Sequence, residues 1–194
     1  MRHWLFHPLI FYPLAALIAV LVIGISIRPQ SWPRPASPVA AQEAQGALVY
    51  AGEGFNAPDD PPQQHVTVTR DFMGRPHTLR IAVLPDQPGP AATEEGVRIL
   101  MTPQDAAKID GKPVTVEVSY NALPVNAASA LAVSLQGEGD ASWATLPTPP
   151  QPGTLRFELP ARARVNAIGL RALSDADDQA YGLEITRIRI IPHA

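Results

Sequence analysis

Asp175, Asp177 and Asp178, in the run SDADDQAYG, form the densest group of hard oxygen ligands in the chain. Calcium takes several carboxylate and carbonyl oxygens from a tight loop, and these residue types approach that demand. The spacing is not that of an EF-hand, because the remaining oxygen positions and the terminal Glu are missing. No cofactor is therefore expected, and a structural calcium is the one metal the loop would suit. Next to the aspartates stands Tyr181, while Trp143 is the only tryptophan after residue 45. Sugar binding needs rings of this kind, since the C–H faces of a pyranose pack on them and a few polar groups fix the orientation. Tyr181, beside a polar loop, is expected to be exposed. Trp143 fits either core or surface, and Phe157, alternating with Leu155 and Leu159, belongs to the core. The candidate ligand-binding residues are thus Trp143, Asp175, Asp177, Asp178 and Tyr181.

Other chemistries lack their residues. His3, His7, His65, His77 and His193 form no HExxH or comparable metal spacing, and there is no cysteine for a thiolate site, a nucleophile or a disulfide. Ser142 and Ser174 lie outside any Gly-x-Ser-x-Gly elbow, and no Gly-rich phosphate loop opens a helix. The acid pairs Asp59-Asp60 and Glu94-Glu95 could in principle flank a sugar, but in Pro/Gly-rich surroundings they read as turn residues. No catalytic residue is assigned, and the chain is not expected to be an enzyme.

The formal net charge is −3, and Arg2, Arg28 and Arg34 precede residue 46 with Glu43 the only acid there, so the acidic excess lies in the remainder. A mildly acidic domain without a Lys/Arg stripe lacks the footprint of phosphate-backbone binding, which excludes nucleic acid as a partner. Arginine greatly outnumbers lysine, represented by Lys108 and Lys112 alone, and with 22 prolines this points to a GC-rich bacterial genome.

The N-terminal run from Pro8 to Ile27 carries no charge and is close to the ~20 residues needed to cross about 30 Å of hydrocarbon. Trp4, Phe11 and Tyr12 near one end and Trp32 past the other suit the headgroup layers. A single-pass anchor over residues 1–28 is expected. A cleavable signal peptide ending near Val39-Ala40-Ala41 competes with it, but such apolar regions run about 7–15 residues and end close to the cut. Basic residues flank both ends. A short N-terminal tail ahead of a long domain nevertheless reads as a signal anchor, with the domain exported to the periplasmic side of the inner membrane.

Residues 29–45, with Pro29, Pro33, Pro35 and Pro38, read as a semi-rigid tether. From residue 46 to 194, short Val/Ile/Leu-rich runs alternate with Pro, Gly, Asp and Asn clusters, the pattern of strands between turns. Strands are expected at Ala47–Tyr50, His65–Arg70, 77–84, 97–101, 113–120, Ala130–Gln136, 154–159, 166–172 and 183–191. Val114, Val116 and Val118 alternate with Thr115, Glu117 and Ser119, as a half-buried antiparallel strand requires. Ile185, Ile188 and Ile190 break parity, which implies a bulge near Thr186 or burial on both faces. One short helix is expected near 102–109, capped by Thr102 with Pro103 in its first turn. The fold class is all-β, an antiparallel two-sheet sandwich of jelly-roll type behind one N-terminal helix.

The stretch KPVTVEVSYNALPVNAASALAVSLQGEGDASWATLP, followed by TLRFELPARARVNAIGLRA and YGLEITRIRIIP, resembles a galactose-binding-domain-like jelly roll, the fold of many carbohydrate-binding modules. The resemblance covers the C-terminal half and rests on pattern, with no catalytic motif. It implies a ligand surface for sugars. Jelly rolls of this kind often hold a structural calcium, with an acid in the closing strand where this chain has Thr186. The expected function is a membrane-anchored, non-catalytic module that contacts an envelope protein or polysaccharide. A carbohydrate-binding module proper and a hydrolase with a dispersed site are the alternatives.

Overall fold

Apolar side chains at every second position from Val114 to Tyr120 can all be buried together only on one face of a strand, and all four are at most 2% exposed. The computed structural model describes residues 8–26, 34–61, 64–85, 96–139, 141–174 and 179–193. Two compact units divide the chain, Met1–Pro33 and Arg34–Ala194.

The first unit contains helix α1, Pro8–Ser26. Among the described residues no helix is long and apolar enough to cross a membrane, so the expected single-pass anchor is not supported. Its 19 residues rise about 28 Å at 1.5 Å each, and Pro13 removes an amide donor from its interior. Leu9, Tyr12, Leu17, Ile18 and Val20 on it are exposed. Trp4, Trp32, Arg2, Arg28, His3 and His7 lie outside the described residues.

The second unit is a two-sheet antiparallel sandwich. Its strands are β1 (Gln42–Ala44), β2 (Ala47–Tyr50), β3 (His65–Arg70), β4 (Pro76–Val83), β5 (Val97–Leu100), β6 (Val114–Ala122), β7 (Ala130–Gln136), β8 (Ala144–Pro147), β9 (Gly153–Leu159), β10 (Ala167–Leu173) and β11 (Tyr181–Pro192). In the seven-stranded sheet β11 is the axis. Along one edge it pairs with β6, which pairs with β9; along the other it pairs first with β4, next to β3, and then with β2, next to β1. The second sheet runs β5-β10-β7-β8. The core between the sheets joins Val116, Val118, Phe157, Ile185 and Ile188 of the first to Val133, Leu135, Ile168 and Leu170 of the second.

The register of β11 with β6 shifts between Ile185 and Arg187, leaving Thr186 as the extra residue. This bulge moves Ile188 and Ile190 onto the core face with Ile185, and the Thr186 hydroxyl donates to the Ser119 carbonyl at 3.1 Å. Helix α2, Pro103–Ile109, has the expected cap: Thr102 Oγ1 accepts from the Asp105 amide, with proline in the first turn.

The compact unit begins at Arg34, ahead of the boundary expected at residue 46. The Ser37 amide donates to the Ala57 carbonyl, Val39 to Leu100 at 3.1 Å and Ala41 to Asp105 Oδ2 at 2.9 Å, so the chain from Arg34 to β1 is bound to the sandwich rather than free of it. Prolines fix an extended backbone there, and an extended backbone can hydrogen-bond to a neighbour.

Candidate binding site

On β10 the core takes Ile168, Leu170 and Ala172, so Ala167, Gly169 and Arg171 point to the other side of the four-stranded sheet. On β7 the same division gives Leu131, Val133 and Leu135 to the core, and Ala132, Ser134 and Gln136 to the outer face. Gly169 pairs with Ser134 on one side and Arg98 on the other. The residues in the middle of this outer face are small, and Ser134, Gln136 and Arg171 are nonetheless buried.

Trp143 accounts for part of that cover. It precedes β8 at the sheet edge, and its ring reaches inward until a Cβ placed on Gly96 or Gly169 would lie 2.7 or 2.8 Å from its Cη2. Any side chain at either glycine would displace the ring. The Arg171 guanidinium stacks 3.8 Å from the ring centroid, an electrostatically favourable cation–π contact. The indole is half-buried: anchored on glycine backbone and arginine, yet still partly open to solvent.

Gln136 Nε2 and Gln64 Oε1 are buried in this layer without a hydrogen-bond partner among the described residues. The Gln64 Nε2 is satisfied by the Ala172 carbonyl at 3.0 Å. Gln136 Nε2 meets the Trp143 ring over Gly169, where both occupy the space a Cβ would need. An unsatisfied buried donor is uncommon and carries a desolvation cost, which marks this amide for attention.

Ser142, next to Trp143, contributes with Leu135, Leu159, Pro160, Ala161 and Arg162 to a cavity of about 170 Å³. Arg162 Nη2 donates to the Glu138 and Gly139 carbonyls at 3.0 and 2.6 Å, fixing the guanidinium in the cavity wall. The cavity is lined by core-facing Leu135 and Leu159, whereas the Trp143 ring covers the outer face of the sheet, so Ser142 is the link between the two in sequence only.

Of the residues expected from sequence, Trp143 falls at this site. Tyr181 does not have the exposed position expected for it: it is 8% exposed and belongs to the core as the first residue of β11. Pairing with Val83 draws it into the strand, so the adjacent polar loop does not determine its environment. Asp175, Asp177 and Asp178 lie outside the described residues, as do Glu94 and Glu95. His65 pairs opposite Ala82 and His77 lies at the other end of the β3–β4 ladder, so the two do not converge. Asp59 is an ion-pair partner of Arg98, and burial raises the Asp60 carboxyl despite the opposing pull of His65. Among the described residues no group of three or more His, Cys, Asp or Glu side chains could hold a metal ion.

Thr115, Glu158 and His193 form a cluster that the sequence reading did not single out. Thr115 Oγ1 donates to Glu158 Oε2 at 2.7 Å and touches His193 Nε2 at 2.7 Å. The same ring nitrogen faces both partners, with Glu158 Oε2 at 3.5 Å. A nucleophile triad needs the acid on the opposite ring nitrogen, so the cluster serves to fasten the end of β11.

No family model matches the chain, and no curated protein does. Solved structures share its sandwich only distantly. "BiXyn10A CBM1", in its apo form, is 12% identical, covers 80% of this chain and all of its own, and has a TM-score of 0.47. The CBM22-1 xylan-binding domain of Xyn10C from Paenibacillus barcinonensis is 14% identical, covers 78% of this chain and all of its own, and has a TM-score of 0.45. The carbohydrate-binding module CBM6cm-2 of lichenase 5A from Cellvibrio mixtus, in complex with cellotriose, is 14% identical, covers 76% of this chain and all of its own, and has a TM-score of 0.41. With every one of these scores below 0.5, the likeness carries no argument about what this chain binds.

Proposed function

We propose that the sandwich is a non-catalytic module that binds a polysaccharide, with Trp143 as the platform for one sugar ring. The observation that carries this reading is the partly open indole held rigid on Gly96, Gly169 and Arg171. A pre-ordered ring loses little freedom on binding, and a pyranose face covers apolar area that otherwise stays in water. Ser142, exposed and next to Trp143 in the chain, supplies a hydroxyl for polar selection.

We place this module at the periplasmic face of the inner membrane, a reading that rests on the short tail and uncharged run from Pro8 to Ile27 ahead of a long domain in the sequence. A phosphatase fused after Ala194 is active there and inactive if that end remains in the cytoplasm.

The binding test uses the full chain with Trp4→Phe and Trp32→Phe, so that Trp143 is the sole indole. Titration with soluble β-glucan, xylan and mannan, extended to a glycan array, is expected to perturb its fluorescence with one class. Trp143→Ala, assayed well below its melting temperature, is expected to weaken that binding at least about tenfold, at ~1.4 kcal/mol per decade. If no glycan perturbs Trp143, or if the alanine variant binds as well, the reading fails.

A further inference from the structure

Phe72 and Met73 are the most exposed large apolar side chains of the sandwich, at 75% and 72%, and they are adjacent in the β3–β4 turn. The turn is tightly closed. The Asp71 amide donates to the Arg75 carbonyl at 2.9 Å, Gly74 to the Asp71 carbonyl at 3.0 Å, and Arg75 to Asp71 Oδ1 at 2.9 Å. Gly74 takes the left-handed conformation that this closure needs, at φ 81°. Arg70 braces the base, donating to the Gly74 carbonyl at 3.3 Å and to Asn56 Oδ1 and O at 3.0 and 3.1 Å. The two apolar side chains are thus presented by a rigid tip.

The corner is also basic. Arg34 donates to the same Asn56 Oδ1 as Arg70, so Arg34, Arg70 and Arg75 gather here opposite Asp71 and Glu53, on a domain with an acidic excess elsewhere. Arg34 is the first residue of the second compact unit.

We propose that the Phe72–Met73 turn is a contact for the surface of an anionic lipid bilayer. The two apolar side chains enter the headgroup boundary while Arg34 and Arg75, both exposed, meet lipid phosphates. Two adjacent side chains are far too small a patch for a stable protein interface, which takes about 800 Å² per partner, whereas lipid accepts a small apolar wedge rimmed by arginine. The contact lies on the other sheet from Trp143 and neither requires nor supports polysaccharide binding.

The chain has no cysteine, so Met73→Cys gives a unique attachment point for a polarity-sensitive fluorophore in the full-length protein. Vesicles of phosphatidylcholine with phosphatidylglycerol are expected to shift its emission to the blue, and spin-labelled lipid to quench it. The same label at Val125→Cys, 71% exposed in another loop, is expected to do neither. Arg75→Glu is expected to raise the lipid concentration at half-shift about tenfold. A Met73 label that keeps its aqueous emission while the chain floats with vesicles overturns the proposal. So does an equal shift with phosphatidylcholine alone, or one that follows protein concentration without lipid, which would make the occupant a second copy of the chain.

Discussion

The Arg171 guanidinium lies 3.8 Å from the centroid of the Trp143 ring, although Arg171 is on β10 and Trp143 precedes β8, with β7 between those strands. The ring can span that distance only because Gly96 and Gly169 have no side chains in its path. Placing a Cβ at Gly169 forces aside both the indole and the Gln136 amide. Gly169→Ala is expected to destabilise the sandwich by about 1–3 kcal/mol, the usual cost of overpacking, and to shift Trp143 emission in the Trp4→Phe, Trp32→Phe background. Gly153→Ala is the comparison, since its nearest atom is the Tyr120 hydroxyl at an ordinary 3.5 Å, and denaturant melts are expected to show a much smaller change.

Tyr181 gives a second, simpler expectation. Its ring is buried in the core at the start of β11, so Tyr181→Ala is expected to cost about 3 kcal/mol or more through the cavity it leaves. Glycan binding below the melting transition is expected to be unchanged. A variant of wild-type stability that has lost binding would restore Tyr181 to the ligand surface.

The contrast between Tyr181 and Trp143 shows what could be read from sequence. Broken parity in the last strand left a bulge near Thr186 or burial on both faces, between which the register shift decides for the bulge. Strand positions followed from alternation in 113–120 and 154–159, because burial on one face leaves a period-two record. The short edge strands β1 and β8 left none, since Gln42–Ala44 is exposed and Ala144–Pro147 is buried only in part. The site depends on residues brought together from the segments just ahead of β5 and β8, Gly96 and Trp143, and from β7 and β10. Its one sequence trace is the run of small residues at outer positions, Ala132, Ser134, Ala167 and Gly169, which leaves room for an overlying ring but does not identify it. The assignment of Tyr181 missed because nearness to a polar loop was weighed above the strand that begins at that residue.

Asp105 makes stability depend on acid pH. Burial disfavours its ionised form, but the Ala41 amide, the Thr102 hydroxyl and the Lys108 ammonium outweigh that and hold the carboxyl below its usual range. The folded chain therefore binds this proton less tightly than the unfolded chain, and stability rises with pH between the two pKa values. The contribution is complete above the ordinary carboxylate range near pH ~4 and is lost as pH falls through the lowered folded value. Asp105→Asn is expected to cost about 1–3 kcal/mol at neutral pH, with the deficit shrinking toward strong acid in urea melts. A deficit independent of pH would mean that the ionised form does not matter.

Gln136 separates a structural amide from one kept for a ligand. Its Nε2 is buried beside the Trp143 ring with no acceptor among the described residues, and such a group lowers the stability of the free protein. Gln136→Met keeps the length and approximate volume of the side chain while removing the donor, so the melting temperature is expected to stay level or rise. If the amide is held for a sugar hydroxyl that arrives over Gly169, the same variant is expected to bind its glycan at least about tenfold more weakly, because a polar hydroxyl would then meet a thioether. Stability and affinity moving in opposite directions is a pattern that simple core packing does not produce, since a packing residue loses both together. Calorimetric melts and glycan titrations on one preparation measure the two quantities side by side. If Gln136→Met is less stable and binds with unchanged affinity, the amide is a packing element and the sugar contact ends at Trp143.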